Sequence, residues 1–308
     1  MKIVYSDRYH LDIGAHVFPT LKYPRVRATL LDRGVVGPRD FVEPEPASWE
    51  DLALVHTADY LEKLRHGSLS IEEIAQMEIP WSPQIVEGFR LMAGGTMLAG
   101  RLALDDASGN GTRRWTVVVH IGGGFHHAHR NHGEGFCMFN DVAVAIRHLK
   151  ADGRISRAAI VDCDVHHGNG TAAIFTGERS VFTFSIHQLH NYPALKPAGS
   201  MDIALDDWAG DEEYLTELRE ALPRVFASRP DIVFYLAGAD PYSGDQLGGL
   251  GLTREGLRTR DRLVLEAARD RGVPVAVTFA GGYARHVEDT IAIHAATVEQ
   301  ARAVLDGA

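Results

Sequence analysis

Short, nearly unbroken apolar runs alternate along the chain with longer segments in which apolar residues recur every three or four positions. The runs are Lys2-Ile-Val-Tyr5, Thr116 to His120, Ala158 to Asp162, Ser180 to Ser185, Asp231 to Leu236 and Pro274 to Phe279. Runs without polar alternation mark strands covered on both faces, as in a parallel sheet. Between them, Ser48-Trp-Glu-Asp51 has the form of a capping box and predicts a helix over Glu50 to Arg65. Val142, Ala145, Ile146 and Leu149 share one helical face, and so do Tyr214, Leu215, Leu218 and Leu222, with Pro223 expected to bend or end that helix. This alternation predicts a three-layer α/β/α sandwich around a mainly parallel sheet. No repeat, low-complexity tract or long linker divides the 308 residues, so one domain over 1–308 is expected.

In open sheets of this kind ligands bind beyond the carboxyl ends of the strands. Five of the runs lead into polar residues or glycine there: Gly122-Gly-Gly-Phe-His-His127, Asp162-Cys-Asp-Val-His166, Ser185-Ile-His187, Ala237-Gly-Ala-Asp240 and Ala280-Gly-Gly-Tyr283. That edge is the expected active site. In an extended segment Asp162, Asp164 and His166 would share one face, which makes either a metal site or a charged hydrogen-bond knot. A buried strand end cannot hold two carboxylates without a cation or several donors, which favours the metal. Asp240 is the best third ligand, the alternative being a cap before Pro241. Two carboxylates and one imidazole with open positions suit Zn²⁺, or Fe²⁺. His126 and His127 would then supply a base for a metal-activated water, and Tyr283 a phenol donor to a developing oxyanion.

Composition narrows the class. A 45% apolar content is ordinary for a globular chain, no run approaches the roughly 18 apolar residues of a bilayer span, and the N-terminus lacks a secretion pattern. No membrane partner is expected, and the cytoplasm is the expected location. Cys137 and Cys163 are too few for a disulfide framework. A net charge of −10 without a basic block disfavours nucleic acid and suits a cationic substrate. His129 and His132 are expected to face solvent, His56, His148 and His294 to be structural, and the tract Arg254 to Arg271 to be a solvated helix face.

The motifs GGGFHHA, GFCMFNDVAVA, VDCDVHHGNGTAAIF, LAGADPYSGDQLGGLGLT and AGGY, in this order, resemble the histone deacetylase superfamily, with the class IV enzymes most similar. The resemblance implies the arginase-deacetylase fold with about eight strands, and Zn²⁺ held by Asp164, His166 and Asp240. It implies His127 as general base, His126 as electrostatic support, Tyr283 polarising the acyl carbonyl, Gly135 offering its carbonyl to the substrate amide and Phe136 lining a tunnel. Asp162 would accept from His126 and Asn169 from His127. It further implies structural K⁺, one ion near Asp162, Asp164, His166 and Ser185 and another along 175–181. The second tunnel wall falls in 190–195, with Tyr192 the first choice, and no rim carboxylate stands out in 78–83. The implied substrate is an acylated lysine or amine, including acetylpolyamines and small metabolites. A two-manganese ureohydrolase is the alternative on this fold, but Gly168 and Gly238 stand where further carboxylates would be needed.

Overall fold

In the computed structural model, residues 1–107 and 115–307 are described. In chain order they form β1 (Lys2–Val4), α1 (Lys22–Asp32), β2 (Phe41–Val42), α2 (Trp49–Ala53), α3 (Ala58–His66), α4 (Ile71–Met77), α5 (Pro83–Ala107), β3 (Val117–His120), α6 (Asp141–Ala151), β4 (Ala158–Asp162), α7 (Asn169–Phe175), β5 (Val181–Gln188), β6 (Met201–Leu205), α8 (Asp211–Ala227), β7 (Ile232–Leu236), α9 (Arg254–Arg269), β8 (Val275–Thr278) and α10 (Val287–Asp306). The eight strands make one wholly parallel sheet in the order β2-β1-β3-β8-β7-β4-β5-β6. The fold is the α/β/α sandwich expected from the alternation. α5 packs on α6, while α8, α9, α10 and α1 form a second succession of neighbours.

Every residue of β3, β8, β7 and β4 is buried, which explains their unbroken apolarity. These four strands are adjacent in the sheet although the chain visits them far apart. Their register is continuous, with Val117 and Val233 both beside Val275, so their carboxyl ends finish level. The residues after His120, Asp162, Leu236 and Thr278 therefore meet over the centre of one edge.

Three local expectations change. The predicted helix Glu50 to Arg65 is two helices, because the chain turns at His56 and Thr57 restarts it by accepting from Tyr60 N–H. The Ser48 capping box is present at the first start. α8 continues through Pro223 to Ala227, where buried Leu222, Val225 and Phe226 carry it past the missing N–H. β2 and β6 were not marked by apolar runs: β2 has two residues, and β6 alternates in exposure at the sheet edge.

Candidate active site

Beyond β3 the three glycines turn the chain under Asp141, whose carboxylate accepts from Gly124 N–H (2.9 Å) and Phe125 N–H (2.7 Å). His126 and His127 follow, both buried. His126 Nδ1 lies 2.7 Å from Asp162 Oδ2, and His127 Nδ1 lies 2.7 Å from Asn169 Oδ1. Each acceptor fixes the proton on Nδ1, so the two Nε2 atoms converge, 3.1 Å apart. Their environments split their charge. Burial opposes charge on His126, but the Asp162 and Asp164 carboxylates outweigh it and raise its pKa to about 9. Burial, reinforced by the nearby His126 and His166, pushes His127 well below its ordinary value.

β4 ends at Asp162, and the extended face expected to continue to His166 is a turn. Asp164 N–H donates to Asp162 Oδ1 (3.1 Å) and His166 N–H to Asp164 Oδ1 (3.0 Å), so carboxylates hold this backbone together with β7, through Cys163 N–H on Leu236 O (3.0 Å), and β5, through Gln188 N–H on Val165 O (2.9 Å). The turn still gathers Asp164 and His166, and the end of β7 brings Asp240 to them. Val165 N–H engages Asp240 Oδ1 (2.9 Å), and Gly281 N–H engages Asp164 Oδ2 (2.8 Å). The opposite oxygens face one imidazole nitrogen: His166 Nδ1 is 3.0 Å from Asp164 Oδ1 and 3.4 Å from Asp240 Oδ2. Asp240 Oδ2 is buried without a hydrogen-bond partner among the described residues. Burial and then the charge of Asp164 raise the Asp240 pKa above the ordinary carboxylate range. Two carboxylates and an imidazole whose free atoms converge in a buried space need a positive charge between them, and a divalent cation of the Zn²⁺ class fits this donor set.

Tyr283 enters from the loop after β8, and its N–H is held by Asp245 Oδ2 (2.7 Å). Burial and the neighbouring Asp164 and Asp240 keep its phenol pKa well above the ordinary value, so it remains a donor. Above these groups lies a narrow cavity of about 180 Å³ with His127, His166 and Tyr283 at its base and Phe136, Tyr192 and Leu247 on its walls. Tyr192 stands 5.0 Å from the His127 ring and 6.3 Å from that of His166, centre to centre. Phe136 stacks on Phe18 at 6.3 Å and meets Tyr283 edge-on at 5.7 Å. Gly135, at φ 53°, lets the backbone pass between the walls, since a Cβ there would sit 2.8 Å from His127 Cδ2 and 3.0 Å from Tyr192. Its carbonyl accepts from the Cys137 thiol at 3.3 Å. Ser185 lies beside Asp162 in the sheet register, and its Oγ is 3.0 Å from His187 Nδ1.

The model of the histone deacetylase domain matches residues 16–298. The chain belongs to the histone deacetylase family. It is 37% identical over 304 residues to an uncharacterized protein of Picosynechococcus, covering 98% of both chains. It is 33% identical over 312 residues to histone deacetylase 2 of Arabidopsis thaliana, covering 94% of this chain and 78% of that one. The crystal structure of the HDA15 HD domain superposes with a TM-score of 0.79 at 22% identity, covering 100% of this chain and 91% of that one, and shows the same fold. The family and its relatives indicate a hydrolase of the deacetylase kind.

Within this histone deacetylase domain, sequence reasoning passed over four residues. Lys22 is fully buried on α1, donates to Ala280 O (2.9 Å) and so fixes the loop that carries Tyr283; burial lowers its pKa to about 8 despite Asp240, Asp164 and Asp245. Asp245 gathers the N–H groups of Tyr283, Leu247 and Gly248. Arg260 contradicts the expected solvated face of α9: it and Asp261 are buried, and its guanidinium donates to Gly238 O (2.5 Å), Cys163 O (3.3 Å) and Asp261. It braces the two segments bearing Asp164 and Asp240 from beneath. Glu134 is the fourth. It accepts from Asn169 Nδ2 (2.6 Å) and the Tyr192 hydroxyl (2.9 Å), placing a carboxylate one amide beyond His127. The helix periodicity of 254–271 carries a faint sign of Arg260, which falls on the same face as Leu257, Val264 and Leu265. The other three depend on loop contacts. His129 and His132 are half-buried rather than solvent-facing and stack on each other beside Glu134. His56, His148 and His294 do sit in structural settings: His56 bonds His129 O and Asn140 N–H, His148 pairs with Asp51, and His294 stacks on Phe279.

Proposed function

We propose that this chain, as one domain over 1–308, is a zinc-dependent deacylase that removes acetyl or longer acyl groups from lysine side chains or related amines. The carrying observation is the convergence of Asp164 Oδ1, Asp240 Oδ2 and His166 Nδ1 beside the paired Nε2 atoms of His126 and His127, at the foot of an aromatic cavity. Asp164, His166 and Asp240 would hold Zn²⁺, with Fe²⁺ the alternative, and the ion supplies Lewis acidity toward the acyl carbonyl and the attacking water. His127 is kept neutral with its proton on Nδ1, so its Nε2 carries the lone pair that takes the proton of the water once the contact with His126 Nε2 gives way. His126, charged against Asp162, stabilises the negative charge that develops and can pass a proton toward the departing amine. Tyr283 donates its phenol hydrogen to the oxygen of the former carbonyl.

The cavity between Phe136 and Tyr192 takes a linear methylene chain, and the acid groups Glu78 and Glu134 near its mouth favour a cationic substrate. Gly135 would offer its carbonyl to the substrate amide after exchanging the Cys137 thiol. Whether the amine belongs to a protein, a polyamine or a metabolite, all present the same amide to the site. Structural K⁺ at the carbonyls around Asp162, Asp164, His166 and Ser185, and along 175–181, belongs to the same proposal, as does a cytoplasmic location; among the described residues no helix is long and apolar enough to cross a membrane. A second metal of the ureohydrolase kind is disfavoured, because a Cβ at Gly238 would lie 2.8 Å from Asp164 Cα and one at Gly168 would lie 2.6 Å from Asp162 Oδ2. Turnover of a panel of acyl-lysine and acylpolyamine substrates at fixed metal content tests the reading. Release of acetate from at least one, abolished by chelation, supports it, and inertness toward all of them with one zinc bound refutes it.

A further inference from the structure

We infer that His129, His132 and Glu134 form a second, outer binding site for a zinc-class divalent cation, separate from Asp164, His166 and Asp240. One nitrogen of each histidine and one oxygen of Glu134 lie within 4.8 Å of one another. His132 Nε2 is 3.2 Å and His129 Nε2 3.8 Å from Glu134 Oε2. Ligand atoms about 2.0–2.2 Å from a tetrahedral ion stand roughly 3.4 Å apart, so both histidine nitrogens already stand near the required distance from the carboxylate oxygen.

The hydrogen bonds around the three side chains can be exchanged for an ion. His132 Nδ1 lies 2.9 Å from Asn131 Oδ1 and its Nε2 lies 3.2 Å from Glu134 Oε2, so a cation at Nε2 would leave the ring proton on Nδ1, where Asn131 Oδ1 accepts it. Asn169 uses its oxygen on His127, so its Nδ2 is the donor, and Nδ2 reaches Glu134 Oε1 at 2.6 Å and His129 Nε2 at 3.2 Å. His129 Nε2 is therefore unprotonated, and its lone pair accepts from Asn169. Gln76 Nε2 at 3.3 Å is a donor to Glu134 Oε2 and leaves that oxygen a further lone pair. An ion would replace the Asn169 Nδ2 bond at His129 Nε2, with Asn169 keeping Glu134 Oε1, and the His132 Nε2 bond at Glu134 Oε2, which leaves two imidazole nitrogens and a carboxylate oxygen to coordinate it. Zn²⁺ prefers this N,N,O set, and the adjoining groove of about 790 Å³ leaves its fourth position to water.

The loop is also held in advance. His129 N–H bonds His132 O (3.0 Å), closing the turn that stacks the rings 4.5 Å apart, while His56 Nδ1 and Thr57 N–H hold the carbonyls of His129 and Arg130. Ordering costs are thus met before an ion arrives. Glu134 also carries Asn169 and Tyr192, so on the deacylase reading an ion here is linked to His127 and to the tunnel wall.

Equilibrium dialysis of the metal-stripped full chain against Zn²⁺, with metal counted per chain, tests this. The wild type is expected to take two equivalents, His129→Ala/His132→Ala one, His166→Ala/Asp240→Ala one, and the fourfold variant none. An outer pair of substitutions that leaves the count unchanged overturns the outer site; an inner pair that leaves it unchanged counts against the deacylase reading instead. Wild type that takes one equivalent, lost with the inner pair, also overturns the outer site and leaves a protonated His132 as the partner of Glu134. Should the double substitution unfold the chain by circular dichroism, His132→Gln alone must weaken the second equivalent by about tenfold or more, and an unchanged affinity overturns the inference.

Discussion

Asp164, His166 and Asp240 are buried at the ends of adjacent strands, whereas His129, His132 and Glu134 are half-buried on one loop. Both sets offer nitrogen and carboxylate donors at similar spacing. What separates them is the supporting structure. In the inner set the oxygens turned away from the centre are taken by Val165 and Gly281 N–H, and Arg260 braces the chain beneath. In the outer set the same carboxylate that faces the histidines is shared with Asn169, Tyr192 and Gln76. The inner set can therefore do little but hold a cation, while the outer set couples whatever it holds to the reacting groups.

The sharpest way to break this contrast is Asp240→Ala. It should remove the inner metal and lower kcat/KM for an acetyl-lysine peptide by about 10³-fold or more, since an ion supplying several kcal/mol is lost. Removing His129 and His132 should do far less. Next in size, His127→Ala should cost about 10²–10⁴-fold and Tyr283→Phe about 10²–10³-fold, both in kcat with inner-site metal content unchanged. Retained turnover in Tyr283→Phe would remove the phenol from the chemistry.

The pH profile sharpens the contrast within the histidine pair. His127 is lowered, so its lone pair is present at neutral pH and is lost only in acid; His126 is raised to about 9, so its charge is present at neutral pH and lost as pH rises through that value. A bell-shaped kcat/KM profile follows, its alkaline limb set by loss of the His126 charge. A profile with no alkaline limb would contradict the charged His126. The smallest effect belongs to Glu134→Gln. Taking a negative charge from behind Asn169 should make His127 less basic, moving the acid limb to lower pH with a loss of turnover of about tenfold or less. An acid limb that moves up or stays fixed would show that the amide does not transmit that charge.

This difference between the sets also marks what the sequence could reveal. The inner residues follow strands whose unbroken apolarity announces them, and the parallel order brings their ends together whatever the loops do. Asp162, Asp164, His166, Asp240 and Tyr283 could be named on that ground. Arg260 was hidden because one buried arginine among many charged neighbours looks like surface until its two carbonyl partners are seen. Glu134 and Lys22 act across 35 and 258 residues of sequence, on Asn169 and Ala280, and no periodicity encodes such contacts. The missed edge strand β6 alternates in exposure, and the break between α2 and α3 depends on His56 reaching Asn140 and His129, far along the chain.

The central claim is one hydrolytic metal at Asp164, His166 and Asp240. Zn²⁺ titrated into the metal-stripped chain, with acetyl-lysine peptide hydrolysis followed at each addition, addresses it directly. Activity should rise from nothing to its maximum as the inner site fills, within two equivalents in the wild type, and stay absent in Asp240→Ala. Hydrolysis that is undiminished in the metal-stripped chain, or that rises equally in Asp240→Ala, would contradict it.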